Sequence, residues 1–136
     1  LHFHTHNSRL FMQLSIIILN YRSKELTARC IEVLKKSNPP KVDYEIIVVD
    51  NASGDDSFSF LRNRFPNVSF VANKKNIGYG AGNNVGIRKA KGDYVLVLNP
   101  DIEIEYSEIE KMLDYLDNYS DTGLIAPQLI YPSGKV

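Results

Sequence analysis

Three short runs of uninterrupted apolar residues restrict what this chain can become: Ile16-Ile17-Ile18-Leu19, Ile46-Ile47-Val48-Val49 and Tyr94-Val95-Leu96-Val97-Leu98. A strand with one face in water alternates apolar and polar residues, because successive side chains point to opposite faces. A run without alternation suits a strand buried on both faces, as in a parallel sheet covered by helices. Each run ends abruptly in polar residues, at Asn20-Tyr21, Asp50-Asn51 and Asn99-Pro100-Asp101.

The stretches between the runs read as helices. Ser23 resembles an N-cap, and Leu26, Cys30, Val33 and Leu34 fall at i, i+4, i+7 and i+8, one apolar face. Asn38-Pro39-Pro40 stops that helix. Strands are predicted over 13–20, 44–49, 68–72 and 93–98. Further helices are predicted over 56–64, with Phe60 and Leu61 inward, over 78–90, and around Ile109, Met112, Leu113 and Leu116. Residues 124–131, with Pro127 inside, read as an edge or bent strand. Alternating strands and helices imply an α/β fold: an open, Rossmann-like, mostly parallel sheet with right-handed crossovers and helices on both faces. Ligands of such sheets bind beyond the carboxyl ends of the strands, so the three polar strand ends should share one edge.

The 136 residues suit one domain, and the 16 basic side chains balance the 16 acidic ones. No basic excess steers the chain toward nucleic acid. Cys30 is the only cysteine, inside a helical pattern, and reads as a buried structural thiol. No apolar run approaches the roughly 20 residues that span a bilayer, and no signal-peptide pattern is present. The expectation is a cytoplasmic domain, or one peripheral at the inner face of the membrane in a full-length protein. Residues 1–11, with His2, His4 and His6 alternating, read as a tag remnant or disordered arm, and 12–136 as the domain proper.

Among groups able to carry chemistry, Asp50 at a strand end can accept hydrogen bonds from a base N–H or a ribose hydroxyl, or cap its own loop. Tyr21 can stack on a base or simply pack. Asn76 to Gly86 holds four glycines and three asparagines. Glycine lets backbone approach a ligand, and a helix N-terminus there favours a diphosphate, yet the same glycines suit tight helix–sheet packing. The segment follows the third strand and lacks the dinucleotide fingerprint's context, and no P-loop occurs. Asp101 suits a hard cation that a diphosphate and water also coordinate. Glu103 and Glu105 read as a solvated face.

Taken in order, Ser15 to Tyr21, Val48 to Ser53, Asn76 to Gly86, Gly92-Asp93-Tyr94 and Leu98 to Asp101 resemble family 2 of the glycosyltransferases, the GT-A fold. The resemblance runs from about residue 13 to the end. It implies that Tyr21, Asp50 and Asn51 line the base and ribose, with Asn20 and Ser53 beside them. It implies that Gly78, Gly82 and Asn83 approach the diphosphate or sugar. Asp101 matches the last aspartate of the family's Asp-x-Asp metal motif, whose first aspartate is here Asn99. Asn-Pro-Asp resembles a subgroup that includes rhamnosyltransferases.

The activity so implied is inverting transfer of a sugar from a nucleotide-diphosphate sugar to a hydroxyl of a saccharide or lipid-linked acceptor, assisted by Mg2+ or Mn2+. The family's acceptor half and general base lie well past the Asp-x-Asp segment, and this chain ends about thirty-five residues beyond it. The expectation is therefore a truncated GT-A domain whose catalytic base is elsewhere; Asp114, Asp117 and Asp121 come too early. An exposed sheet edge suggests a homodimer. The alternative is a nucleotide-binding-only module, inactive alone.

Overall fold

A computed structural model describes residues 13–37, 42–130 and 133–134. Strands β1 (Leu14–Asn20), β2 (Tyr44–Asp50), β3 (Ser69–Ala72) and β4 (Tyr94–Leu98) alternate with helices α1 (Lys24–Lys36), α2 (Ser57–Arg64), α3 (Tyr79–Ile87) and α4 (Tyr106–Asn118). Every strand pair is parallel, in the order β3-β2-β1-β4. The apolar runs are the strands, and Ile16, Ile17, Ile18, Ile47, Val48 and Val49 are all essentially inaccessible to water. Each such side chain contributes on the order of 2 kcal/mol of burial energy, which is why the central strands β1 and β2 need helices on both faces.

The two faces carry separate cores. Ile16, Ile18, Ile46 and Val48 pack with Ala28, Ile31 and Leu34 of α1, Leu61 of α2 and Ile109 and Leu113 of α4. Ile17, Leu19, Ile47 and Val49 form the other core with Val85 of α3 and with Ala90. Three helices thus cover one face and α3 alone covers the other. The pattern follows from the order of strands. From β1 to β3 the chain steps outward; after β3 it returns across β1 to lay down β4. The direction reverses between β1 and β4, which makes their carboxyl ends the topological switch point.

Several local expectations are corrected by packing. Ser23 occupies the N-cap position but makes no cap bond; its hydroxyl donates to Asn20 Oδ1 at 3.2 Å. Leu26 is 48 % exposed, because Thr27, Ala28, Cys30, Ile31 and Leu34 face the sheet. Residues 124–130 form no strand: Pro127 lacks a donor, and Leu124, Leu129 and Ile130 lie open to solvent, so neither ladder bonds nor burial offsets the cost of ordering an extended segment. Residues 1–11 and Asn38-Pro39-Pro40 lie outside the described residues. No helix among the described residues is long and apolar enough to cross a membrane.

Candidate functional site

The parallel register sets Asn20 beside Asp50 and Asp50 beside Ala72. These polar positions at the strand ends meet inside the protein first. Asn20 is fully buried. Its Nδ2 donates to Asp50 Oδ1 at 2.8 Å and to Ser53 Oγ at 3.0 Å. Its Oδ1 accepts from Thr27 Oγ1 at 2.9 Å and from Ser23 Oγ. An amide has two donors and two acceptor lone pairs, so Asn20 has no capacity left. Ser53 Oγ donates to Asp50 Oδ1 at 2.5 Å and accepts from Asn20 and from the Arg22 N–H. Asp50 is 6 % exposed; its Oδ2 accepts from Ser53 N at 3.1 Å and keeps one lone pair free.

A second amide does the same work one strand over. Asn51 Oδ1 accepts from Asn73 Nδ2 at 3.0 Å and Ile77 N at 3.2 Å, while its Nδ2 donates to Asn76 Oδ1 at 2.9 Å and Gly78 O at 3.3 Å. The loop from β3 to α3 is thereby laced to the end of β2. Gly78, with φ of +83°, turns the chain into α3, a conformation glycine adopts without a steric cost. Gly82 and Gly86 face the sheet: a Cβ at Gly82 would lie 2.7 Å from Leu19 Cδ1, and one at Gly86 2.5 Å from Ile17 Cγ2. These two glycines let α3 lie against β1, so Gly82 has a packing role.

The groups left facing solvent gather at the switch point. A hollow of about 500 Å³ is lined by Leu19, Tyr21, Ser23, Leu26, Asn51, Asn76, Gly78, Tyr79, Asn99, Pro100 and Asp101. That is the size of a small-ligand pocket. Tyr21 presents a half-exposed ring with the Arg22 guanidinium 5.4 Å from its centroid. Arg22 has φ of +53° and Ala52 of +59°, left-handed conformations that side-chain-bearing residues rarely hold without tertiary support. The Arg22 backbone N–H donates to Ser53 Oγ and its side-chain Nε donates to Ser53 O, both at 3.0 Å. Across the hollow, the Tyr79 hydroxyl donates to Asn99 Oδ1 at 2.6 Å. Asp101 is exposed and makes no hydrogen bond or ion pair among the described residues. Its charge and that of Glu103 add to the burial that pushes the Cys30 thiol up to about 12.

Of the residues anticipated for the site, Tyr21, Asn51, Gly78, Asn99 and Asp101 line one hollow. Asp50 lies behind it, and Asn20, Ser53 and Gly82 are committed to the protein's own structure. Asn83 is buried; its Nδ2 donates to Tyr79 O at 3.1 Å, while its Oδ1 has no partner. Asn76 and Tyr79 fall in the Asn76–Gly86 segment that the sequence singled out, and both line the hollow. Unforeseen were Leu26, which also lines it, and Arg22 and Asn73, which bond to Ser53 and Asn51 beside it. No local pattern pointed to Arg22 or Asn73.

In open α/β sheets, ligands sit where strand order reverses, and this chain is an open parallel α/β protein with a hollow at that point. Comparison with known proteins narrows the class. The pattern of glycosyl transferase family 2 matches residues 15–135, and the chain belongs to that family. The poly(ribitol-phosphate) beta-glucosyltransferase of Bacillus spizizenii is 35 % identical over 118 residues, covering 83 % of this chain and 19 % of that protein. Residues 1–349 of S. aureus TarS, crystallised with UDP-GlcNAc, share the fold with a TM-score of 0.71 at 23 % identity, over 89 % of this chain and 38 % of that one. The mannosyltransferase PcManGT of Pyrobaculum calidifontis, in complex with GDP-Man and Mn2+, aligns with a TM-score of 0.57 at 21 % identity, over 65 % of this chain and 27 % of that one. The chain thus spans about a fifth of the curated relative's length.

Proposed function

We propose that this chain is the donor-binding part of an inverting glycosyltransferase that moves a sugar from a nucleotide-diphosphate sugar to a saccharide or lipid-linked hydroxyl in polysaccharide or cell-envelope synthesis. The observation that carries the reading is the switch-point hollow lined by Tyr21 and by Asp101, whose carboxylate has no hydrogen bond or ion pair among the described residues. The Tyr21 ring offers a stacking face to a base, and the spare Oδ2 lone pair of Asp50 accepts one further N–H or O–H. The first turn of α3 leaves the N–H groups of Tyr79, Gly80 and Ala81 without helical carbonyls, and these favour a diphosphate.

Among the described residues no group of three or more metal-ligating side chains converges. Asp101, an exposed carboxylate lining the hollow, fits a Mg2+ or Mn2+ ion whose other ligands are diphosphate oxygens and water. Bound there, such an ion would supply compensation for the charge that builds on the departing diphosphate. The chain's own residues hold the base, orient the diphosphate and keep the anomeric carbon at the rim. The base that deprotonates the acceptor is assigned to no residue here.

Asn99-Pro100-Asp101 supports placement in the Asn-Pro-Asp subgroup that includes rhamnosyltransferases, and a panel of nucleotide sugars differing in base and sugar tests it. The free edge of β4, with Val95 and Val97 more than a third exposed, supports self-association, which a monomeric mass by light scattering at high concentration would refute. The main reading is tested by calorimetric titration of UDP with and without Mn2+. Asp101→Ala is expected to remove the Mn2+-dependent part of binding. Unchanged Mn2+ dependence takes Asp101 out of the site, and a chain that binds nucleotide but never turns it over is the binding-only module.

A further inference from the structure

Arg22 holds its backbone in a conformation that few arginines adopt. Its φ of +53° lies in the left-handed region, where a Cβ crowds the following carbonyl and glycine or asparagine is the usual occupant. The other non-glycine residue with positive φ among those described is Ala52, at +59°, which immediately precedes Ser53. Such strain persists where surrounding contacts over-determine it.

The contacts of Arg22 run to one buried anchor and one open ring. Ser53 is 1 % exposed, and its hydroxyl is fixed by Asn20 and Asp50. Ser53 accepts the Arg22 backbone N–H on Oγ and the Arg22 Nε–H on its carbonyl. The guanidinium lies over the ring of Tyr21, with Cζ 5.4 Å from the centroid. Along a regular strand, successive side chains point to opposite faces; the left-handed turn breaks that alternation and lets these two neighbours meet. No carboxylate pairs with Arg22 among the described residues. Tyr21 lines the switch-point hollow and Arg22 does not. The guanidinium is therefore on the side of the ring away from the hollow, and the other side is open.

We propose that Arg22 is a positioning residue for Tyr21: clamped to Ser53, its guanidinium backs the ring and fixes its plane, so that the face toward the hollow meets a flat base already oriented. The inference rests on the nucleotide reading for its ligand and on geometry alone for the clamp. A half-exposed ring that is free to turn loses that freedom on binding, at the expense of affinity. The clamp removes the loss beforehand. In this way the buried cluster of Asn20, Asp50 and Ser53 orients an aromatic face at the rim.

The clamp is read without ligand. Protons lying over an aromatic ring resonate upfield of their ordinary positions because of the ring current. The Arg22 δ and ε protons are expected upfield in the unmodified chain and at ordinary positions in Tyr21→Leu. Equal positions in the two chains overturn the clamp, whatever the protein binds.

The effect on the ligand is read by calorimetry with UDP and with pyrophosphate, each in the presence of Mn2+. Arg22→Asn and Arg22→Gly both suit the left-handed backbone, so the fold is kept. Both are expected to weaken UDP about two- to fivefold, the worth of one exposed cation–π contact. Pyrophosphate is expected to change by less than about twofold, the remnant of a screened charge. Arg22→Lys keeps the charge but has no Nε–H for the Ser53 carbonyl, and is expected to weaken UDP as Arg22→Asn does. Unchanged UDP affinity in Arg22→Asn and Arg22→Gly overturns the positioning role. Full UDP affinity in Arg22→Lys, or an equal loss of pyrophosphate in Arg22→Asn, also overturns it by showing a plain charge contact. Absence of UDP binding by the unmodified chain would fault the nucleotide reading, leaving the ring-current result to decide the clamp.

Discussion

Replacing Asn20 with alanine removes the centre of a hydrogen-bond cluster that water does not reach. The side chain makes four hydrogen bonds, to Asp50, Ser53, Thr27 and Ser23. A neutral hydrogen bond contributes a net ~1 kcal/mol, and one to a charged group about 1.5–3 kcal/mol. Asp50 Oδ1 would keep its bond from Ser53, but the buried Thr27 hydroxyl would lose its side-chain acceptor. Non-additivity within one cluster reduces the simple sum, and a loss of about 3–4 kcal/mol is expected, a large share of the about 5–15 kcal/mol by which domains are stable. For a chain of this size that corresponds to a fall in Tm of roughly 10–15 °C. Asp101, exposed and without a hydrogen bond or ion pair among the described residues, supplies the contrast: Asp101→Ala should change stability by no more than about 0.5 kcal/mol. Urea unfolding followed by far-UV circular dichroism measures both, provided the m-values agree. A loss below about 1 kcal/mol for Asn20→Ala, or equal losses for the two variants, would refute the division between rim scaffold and open site.

Gly86→Ala inserts a methyl group 2.5 Å from Ile17 Cγ2 and 3.1 Å from Val49 Cγ2, stiff branched side chains. Overpacking of about 1–3 kcal/mol should outweigh the ~1 kcal/mol that alanine gains over glycine in a helix; unfolding midpoints check this, and a stabilised variant would refute the close approach of α3 to β1. The alkaline limb of stability follows from Cys30, Tyr44 and Tyr106, whose acidities burial weakens. Their folded pKa values lie above the ordinary values of 9.0 for the thiol and 10.0 for the phenols. The unfolded chain therefore loses these protons first, and stability, full below pH about 9, should fall as pH rises toward 12. Cys30→Ala should lessen that slope in denaturant titrations from pH 8 to 11; an unchanged slope would remove the thiol from the account. The same burial predicts that the Cys30 thiol reacts with alkylating reagents only as fast as the chain opens, measured by mass spectrometry with and without 6 M urea as denaturant, an approximate working concentration at which such domains are commonly unfolded.

Much of the architecture is written locally. Continuous Ile, Leu and Val runs demand burial on two faces, and that demand alone leads to parallel strands under helices; each strand was placed to within a residue at either end. Polar residues breaking those runs marked the edge where the hollow lies. What the local pattern does not hold is which polar atoms face one another. Asn20 and Tyr21 are adjacent in the chain, yet one is saturated by partners up to 33 positions away and the other lies open to the hollow. Asn51 and Gly82 read from the sequence as ligand contacts, and the fold shows that Asn51 also ties down the loop from β3 and Gly82 also makes room for Leu19. Tyr79 carries no signal of its own until β4 crosses to the far side of β1 and brings Asn99 to its hydroxyl. Hydrophobic periodicity is a property of neighbours along the chain, so the sequence by itself determined the layers and the rim. Hydrogen-bond capacity is finite and is filled by whatever the fold brings close, so only the tertiary structure decided which rim residues remain to meet a ligand.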